Sequence, residues 1–368
     1  MHIYDRLGIA PVINAYECIT TLGGSLMRPE VLQAMTEASQ RFVRLDQLQC
    51  VVGKRIAEMI GVEAAYVTCG AAAGLLLSAA ACIAGTERTR IARLPDTNGM
   101  QNEIVIERAH RNRYDFALRQ SGARFVEFGY ARGTQPWELE AVITPNTAAV
   151  AYFVTNATPT TLPLPVVADI AHSHGLPVIV DAAAELPPAT NLRRFVDEGG
   201  DLVIFSGGKG LRGPQSSGLI LGRSDLIAAC AANANPHHAI GRPLKAGKEE
   251  IIGLLVALEL YLAEPESERQ ARWEAQVRLG IELLQGLSGL HPHRVFPMPT
   301  GKWVPRILVE MDDDTHLSAD ELRAALCSGI PSIEVRPDPA GFVIDPQNLM
   351  PGEMEIICAR IAELWAEK

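Results

Sequence analysis

Seven short apolar runs recur between residues 64 and 223, separated by patterns of a different period. They lack strict alternation of polar and apolar positions, as is typical of strands buried on both faces. Helical patterns that end near glycine lie between most of them. The alternation predicts an α/β fold with a seven-stranded, mostly parallel sheet and helices on both faces. The runs cover 64–70, 103–108, 123–129, 148–155, 177–183, 202–207 and 218–223.

The last two runs depart from this alternation, because only ten residues separate them and Pro214 is one of those. No crossover helix fits there, so we expect these two strands to be antiparallel neighbours. Beyond residue 244, long helical patterns are followed by strand-like pieces in a smaller α+β domain. We therefore expect an N-terminal arm at 1–45, a large domain at 46–243, and a linking helix with the small C-terminal domain at 244–368.

Composition narrows the class of protein. Hydrophobic residues make up 48% and charged residues 21% of the chain, as in ordinary globular proteins. The formal net charge of −10 argues against general nucleic-acid binding. The apolar stretches are too short to span a bilayer, and the N-terminus has no signal-peptide pattern. None of the seven cysteines forms C-x-x-C, so we expect no metal site and no disulfide framework, but reduced thiols in a cytoplasmic protein.

The segment "FSGGKGLRGPQSSGLILG" (205–222) contains a G-x-G-x-x-G match directly after a predicted strand. A dinucleotide site there would need a following helix whose N-terminus holds the pyrophosphate. Pro214 and the next strand leave no room for one, which disfavours a nucleotide-dependent dehydrogenase. The lysine among the glycines, Lys209, has another chemistry open to it, because a lysine amine can form a Schiff base with a carbonyl compound.

Pyridoxal phosphate is the commonest cofactor attached in this way, and each of its needs has a candidate. Asp181 ends the run "PVIVD", where a carboxylate can keep the pyridine nitrogen protonated. His110 follows the strand "EIVIER" and can stack on the ring. The segment "TCGAAAGLL" leads from a strand into a helix, and a phosphate there can bind backbone N–H groups of Gly70, Ala71 and Ala72.

Each candidate also has a purely structural explanation. Asp181 can cap a helix, the small residues at 69–74 can serve tight packing, and His110 can lie on the surface beside Arg108 and Arg111. The ordered set indicates function more strongly than any one member: a phosphate loop, a stacking residue, an aspartate, and then Lys209, 28 residues after Asp181.

This order and spacing resemble the aspartate-aminotransferase fold, fold type I of the pyridoxal-phosphate enzymes. Within it, "SGGKGLRGPQSSGLILG" resembles the lysine segment of the bacterial selenocysteine synthase family. Three segments resemble more closely the D-glucosaminate-6-phosphate ammonia-lyase branch of that family. They are "VINAYECITTLGGS" (12–25), "TCGAAAG" (68–74) and "IGRPLKAGKEEIIGL" (240–254). The resemblance covers almost the whole chain.

The resemblance implies roles in cofactor binding. Lys209 would carry the cofactor through a Schiff base and then shuttle the proton, and Asp181 would pair with the pyridine nitrogen. His110 occupies the ring-stacking position, and Asn156 would face the ring hydroxyl. The phosphate would bind Ser206 together with Gly70, Ala71 and Ala72.

For the substrate, the resemblance implies a carboxylate held by Arg306, since a guanidinium fork suits a carboxylate. An ordinary surface arginine on a strand would give the same sequence pattern. Arg111 and Arg242 are compatible with a phosphorylated or doubly acidic substrate, and a solvated basic patch is the structural alternative.

The implied activity is that of a pyridoxal-phosphate-dependent lyase acting on a small amino acid or amino sugar acid. Lys209 would remove the α-proton, and β-elimination would give a 2-oxo acid and ammonia. The alternative is a racemase, epimerase or aldolase on the same scaffold. A catalytically silent relative is disfavoured because both Lys209 and Asp181 are present. The selenocysteine synthases carry a tRNA-binding domain before the sheet. Here the sheet begins by residue 64, which leaves no room for that domain, so we expect no tRNA substrate. The resemblance also implies a homodimer or larger homo-oligomer.

Overall fold

The computed structural model describes residues 2–130, 132–297 and 302–366. The chain forms two compact units: Met27–Leu262, the large unit, and Met1–Leu26 with Ala263–Lys368, the small unit. The boundaries between the units follow Leu26 and Leu262, whereas the sequence predicts boundaries after residues 45 and 243. One reason is that residues 12–15 supply a strand to the small unit's sheet, so the expected arm is not a separate part.

The large unit contains the expected sheet, and the predicted fold class is confirmed. Its strands, in sheet order, are β2 (Ala64–Thr68), β8 (Gly218–Gly222), β7 (Leu202–Ser206), β6 (Val178–Asp181), β5 (Thr147–Phe153), β3 (Glu103–Glu107) and β4 (Arg124–Phe128). Strand β8 runs antiparallel to both of its neighbours, β2 and β7, as the short connection after β7 predicts. The remaining pairs are parallel, so six strands end at one edge of the sheet.

Hydrophobic cores cover both faces of this sheet. Successive residues of one strand point to opposite faces, and in β7 Val203 and Phe205 belong to one core while Leu202 and Ile204 belong to the other. The helices of the large unit are α2 (Pro29–Ser39), α3 (Leu45–Ile60), α4 (Ala71–Ala84), α5 (Arg88–Arg93), α6 (Phe116–Arg119), α7 (Pro136–Val142), α8 (Leu164–Ser173), α9 (Asn191–Asp197), α10 (Ser224–Asn233) and α11 (Lys248–Ala263). The first core packs α3, α8 and α11 against the sheet, and the second packs α4 and α10.

The small unit is a second sheet with its own core. Its strands, in sheet order, are β1 (Val12–Ala15), β11 (Ser332–Asp338), β12 (Gly341–Ile344), β10 (Arg306–Met311) and β9 (Leu290–Val295). Strand β1 runs parallel to β11, and the other pairs are antiparallel. The helices are α1 (Ile3–Leu7), α12 (Glu266–Leu284), α13 (Ala319–Ser328) and α14 (Glu353–Ala366). Apolar side chains of α12, α13 and α14 pack on this sheet.

Three general properties bear on function. Among the residues that the structure describes, no helix is both long and apolar enough to cross a membrane. Within the same ranges, histidine, cysteine and acidic side chains do not gather in groups that could hold a metal ion. All seven cysteines, each in the described part of the chain, are free thiols.

Candidate active site

The predicted cofactor residues of the large unit gather at the carboxyl edge of its sheet. Gly70 follows β2, His110 follows β3 and Asn156 follows β5, while Asp181 and Ser206 are the last residues of β6 and β7. These five strands run in the same direction, so their ends meet at one edge. Ligand sites of open α/β sheets form at this edge.

The connection after β7 brings Lys209 to this edge in a tightly folded loop. A Cβ on Gly207 would lie 2.0 Å from Oγ of Ser217, and one on Gly208 would lie 2.6 Å from Cα of Gln215. The glycines around Lys209 are therefore required by close packing within the loop. The Lys209 side chain is half-buried, and no described residue forms a hydrogen bond or an ion pair with it.

Asp181 carries its carboxylate at the end of β6. Its Oδ1 accepts a hydrogen bond from the backbone N–H of Ala183 at 2.9 Å. Burial raises the pKa of the Asp181 carboxyl, and the Ala183 N–H and the positive charge of Lys209 oppose that rise. The two side chains predicted to act on the cofactor are therefore close enough to interact electrostatically. Asp181 does not cap a helix, because the next helix, α9, begins only at Asn191.

Gly70 begins the loop that the sequence predicts to bind phosphate. It precedes α4 and has a φ of +113°. A Cβ added to Gly70 would have no described atom within 4 Å, so the space there is open. Its carbonyl accepts hydrogen bonds from Thr68 Oγ1 at 2.9 Å and from the N–H of Gly74 at 3.1 Å. The N–H groups of Ala71 and Ala72 lie in the first turn of α4 and therefore have no partner inside the helix.

His110 is buried, so it is not a surface histidine. Its ring stands edge-on to the ring of Tyr152, and neither ring nitrogen has a hydrogen-bond partner within the described ranges. Burial lowers the pKa of His110 to about 4. The imidazole is therefore neutral near pH 7 and offers an apolar face together with two unused polar atoms.

The structure adds three residues that sequence reasoning missed. Asn112 Nδ2 donates to Asn156 Oδ1 at 2.8 Å and thereby orients the predicted ring-hydroxyl partner. Thr155 Oγ1 donates to Glu185 Oε1 at 2.7 Å, and Glu185 is only 6% exposed. The one signal in the sequence is the position of Glu185, four residues after Asp181 in an otherwise apolar segment, where a buried carboxylate needs a partner.

The predicted substrate arginines lie in different surroundings. In the large unit, Arg111 forms ion pairs with Asp115 at 2.5 Å and with Glu127, which account for its charge without a ligand. Arg242 lines a cavity of about 320 Å³ and donates from Nη1 to Asn235 Oδ1 at 3.4 Å. Lys245 and Lys248 line the same cavity. A role of Arg111 or Arg242 in substrate binding stays a prediction.

Arg306 lies in the small unit and is fully buried, so it is not an ordinary surface arginine. Its Nε donates to Asp345 Oδ2 at 2.6 Å. Register explains the pair, because Ile307 of β10 faces Ile344 of β12 and the next residues outward are Arg306 and Asp345. The Nη1 and Nη2 atoms of Arg306 have no partner among the described residues. Two unused donors suit a carboxylate, and that role stays a prediction.

Comparison with known proteins gives matches over most or all of the chain. Residues 12–275 match the family described as SelA, L-seryl-tRNA selenium transferase. The 5'-C-glycyluridine monooxygenase-decarboxylase of a Streptomyces species is 38% identical over 98% of this chain and 91% of its own length. The D-glucosaminate-6-phosphate ammonia lyase of Salmonella typhimurium is 35% identical over 99% of this chain and 98% of its own length.

Solved structures agree with the fold. A structure of D-glucosaminate-6-phosphate ammonia-lyase superposes with a TM-score of 0.88 at 35% identity, and the match covers 100% of both chains. A serine palmitoyltransferase from S. paucimobilis with bound PLP matches with a TM-score of 0.60 at 13% identity, over 97% of this chain and 88% of that one. The second likeness shows the fold alone.

Proposed function

This chain belongs to the SelA family of L-seryl-tRNA selenium transferases, and on that premise we propose that it is a pyridoxal-phosphate-dependent lyase of α-amino acids. Its substrate is a small amino acid or an amino sugar acid, and its products are a 2-oxo acid and ammonia. The observation that carries the proposal is the half-buried Lys209 amine, unpaired among the described residues, beside the Asp181 carboxylate at the carboxyl edge of a parallel sheet. The 35% identity to an ammonia lyase over nearly the whole chain supports the reaction class.

The residues at this edge suit pyridoxal phosphate. The open space at Gly70 and the N-terminus of α4 suit a phosphate. The buried, neutral ring of His110 suits contact with an aromatic ring. The Asp181 carboxylate suits a protonated ring nitrogen, and Asn156, oriented by Asn112, suits a ring hydroxyl. Ser206, half-buried at the end of β7, completes the proposed phosphate ligands.

Pyridoxal phosphate, when bound, supplies an aldehyde that condenses with amines and a ring that withdraws electrons from the substrate Cα. The work of the chain follows from its own side chains. Lys209 Nζ would hold the cofactor aldehyde and, once the substrate amine has replaced it, would take the proton from the substrate Cα. Asp181 would keep a proton at the ring nitrogen, and the N-terminus of α4 would hold the phosphate. Lys209 would then pass this proton to the departing β-hydroxide, which leaves as water, and a second water hydrolyses the released enamine to the 2-oxo acid and ammonia.

A second candidate function is the oxidative decarboxylation of an amino acid attached to a nucleoside. The specific observation in its favour is the 38% identity to a protein named as a glycyluridine monooxygenase-decarboxylase. In either reaction, Lys209 would act at the α-carbon of an amino acid. They differ in that a lyase releases ammonia without O₂, whereas a monooxygenase consumes O₂.

The first test is the visible spectrum of the purified protein, taken before and after borohydride. We expect a yellow absorption that borohydride removes and a cofactor fixed to the peptide that contains Lys209. Lys209→Ala abolishes the fixation, and Lys54→Ala, at an exposed lysine of α3, leaves it unchanged. A colourless protein that added pyridoxal phosphate does not reconstitute refutes the proposal.

The second test separates the reactions by incubating amino acids and amino sugar acids with and without O₂. Ammonia released at equal rates under both conditions identifies the lyase. O₂ consumption with CO₂ release identifies the monooxygenase, and exchange of the α-proton without ammonia identifies a racemase.

We also propose that two or more copies assemble. Large apolar side chains are exposed along residues 32–51 of the large unit, where Phe42 is fully exposed and Leu32, Val43 and Val51 are about half exposed. Sedimentation equilibrium of the full chain is expected to give at least twice the monomer mass. A monomer that is fully active contradicts this part of the proposal. Cytoplasmic localisation stays a prediction that rests on the cysteine pattern.

A further inference from the structure

Glu185 is a buried carboxylate to which the proposed reaction assigns no role. It is 6% exposed and lies in the segment between β6 and α9, four residues after Asp181. Its Oε1 accepts a hydrogen bond from Thr155 Oγ1 at 2.7 Å, and its backbone carbonyl accepts one from Asn191 Nδ2 at 2.7 Å. Burying a carboxylate is costly unless a partner compensates it. One hydroxyl is a modest partner for a full negative charge.

The segment that carries Glu185 lies against the loop that carries Lys209. A Cβ on Gly210 would stand 2.5 Å from the carbonyl oxygen of Leu186 and 3.0 Å from its Cβ. The chain neighbours of Glu185 and Lys209 are thus in direct backbone contact. Gly210 is the residue that permits this approach, because any side chain there would push the two segments apart.

The charges that face Glu185 come from three elements. The positive charge of Lys209 favours the ionised form of the Glu185 carboxyl, and the negative charge of Asp181 disfavours it. Arg194 of α9 also favours the ionised form, but it forms an ion pair with Glu198 at 2.6 Å. Burial raises the pKa of the Glu185 carboxyl, against the Thr155 hydrogen bond and the charge of Lys209. Lys209 is the cation near Glu185 that has no ion-pair partner in the described part of the chain.

We propose that Glu185 is a positioning residue for Lys209. After Lys209 has taken the proton from the substrate, the Glu185 carboxylate supplies the negative charge that stabilises the resulting ammonium. The inference rests on the proposed function. There Asp181 is committed to the ring nitrogen, so the charge that Lys209 gains needs another acceptor. Glu185 itself neither gives nor takes a proton, since the proton passes from the substrate Cα to Lys209 and then to the leaving group. The Thr155 hydroxyl holds the carboxylate in place.

The test measures the reactivity of Lys209 in the full-length chain after any bound cofactor has been removed with hydroxylamine and dialysis. The protein is treated at fixed pH with a limiting amount of an amine-acetylating ester, and acetylation of Lys209 is followed by peptide mass spectrometry relative to Lys54. Only the neutral amine reacts, so loss of a nearby negative charge speeds the reaction. We expect Glu185→Gln to accelerate acetylation of Lys209 about tenfold, the effect of one close charge on an ionisation equilibrium. Glu185→Asp is expected to restore most of the protection.

The matched control is Glu259→Gln, which removes an exposed glutamate of α11 that pairs with Arg55. It is expected to leave the rate at Lys209 unchanged. If Glu185→Gln does not fold, the acetylation rate of Lys209 in Thr155→Val is the deciding measurement. This variant removes the hydrogen bond to Glu185 without changing any charge. Faster acetylation in that variant supports the proposal. An unchanged rate in a folded Glu185→Gln protein, or in Thr155→Val when the former is unfolded, overturns it.

These outcomes are independent of the proposed function. If borohydride fixes the cofactor to Lys209 while acetylation is insensitive to Glu185, only the counter-charge role fails. If acetylation depends on Glu185 but no cofactor binds, the contact stands and the proposed function fails.

Discussion

His110 stands edge-on to Tyr152, with the two ring centroids 4.5 Å apart and the ring planes at 84°. The histidine is 1% exposed, and burial lowers its pKa to about 4. In the unfolded chain an imidazole titrates near pH 6.5. Between these two values the unfolded state binds more protons than the folded state, so the stability that His110 contributes is present above pH 6.5 and is lost as pH falls towards 4.

We expect His110→Phe to remove this pH dependence, because phenylalanine keeps an aromatic ring against Tyr152 but cannot be protonated. Between pH 7 and pH 5 the wild-type chain should lose about 2 kcal/mol more unfolding free energy than the variant. Urea unfolding of both proteins without cofactor at the two pH values measures this difference. Equal losses in both proteins would mean that His110 titrates normally in the folded chain.

Gly218 of β8 packs directly on the loop expected to bind phosphate. A Cβ there would lie 2.5 Å from the carbonyl carbon of Gly70 and 2.7 Å from Thr68 Oγ1. Because the obstacle is backbone, Gly218→Ala must displace the Gly70 turn. We expect a loss of about 1–3 kcal/mol in unfolding free energy and clearly weaker binding of pyridoxal phosphate.

Thermal unfolding and titration of the cofactor by absorbance measure both effects. Gly329→Ala is the control, since the nearest atoms to its added Cβ are 3.4 Å away, an ordinary contact. Cofactor binding as tight in Gly218→Ala as in wild type would remove the Gly70 turn from the proposed site.

Much of the large unit could be predicted because its chemistry is local. A parallel strand buried on both faces is a continuous apolar run, and functional residues follow such runs at their carboxyl ends. Asp181 and Lys209 could be placed at this edge from the apolar runs before them, and their order along the chain with Gly70 and His110 predicted their chemistry. The antiparallel β8 could be predicted from a ten-residue connection that contains Pro214.

The parts that could not be predicted depend on partners distant in the sequence. Four residues, Val12–Ala15, become a strand only because β11 lies beside them, more than 300 residues later. The burial of Arg306 depends on the register that sets it opposite Asp345. The proposed role of Glu185 depends on its hydrogen bond with Thr155 and on the close approach of Leu186 to Gly210. Neither contact produces a sequence pattern near Glu185.

Asp181→Asn is expected to separate binding from turnover. An amide of nearly the same shape occupies the end of β6 but cannot hold the ring nitrogen protonated by its charge. We expect borohydride still to fix the cofactor to Lys209, while kcat falls about 100-fold or more, the scale of losing one electrostatic group at a reacting centre. Steady-state kinetics with a substrate that releases ammonia measures this. Turnover within about threefold of wild type would contradict the role of Asp181.

Arg306 and Asp345 form a buried ion pair, so the two side chains depend on each other. Replacing one partner leaves the other as an uncompensated charge in the core of the small unit, at a cost of about 3–5 kcal/mol. We expect Arg306→Met to lower the unfolding free energy by this amount. The double variant Arg306→Met, Asp345→Asn should recover a large part of the loss, because asparagine can still accept the hydrogen bond that Gln347 N donates to Oδ1 of Asp345 at 2.8 Å.

A double-mutant cycle measured by urea unfolding gives the coupling between the two side chains. Strictly additive losses would show that the charges do not compensate each other.

The cycle also decides how the proposed carboxylate site is tested. Because Arg306→Met changes stability through Asp345, a rise in KM in that variant alone does not identify a substrate contact. Arg306→Lys keeps the charge beside Asp345 but removes the fork formed by Nη1 and Nη2. A higher KM in a stable Arg306→Lys protein therefore supports carboxylate binding, and an unchanged KM makes Arg306 a structural residue.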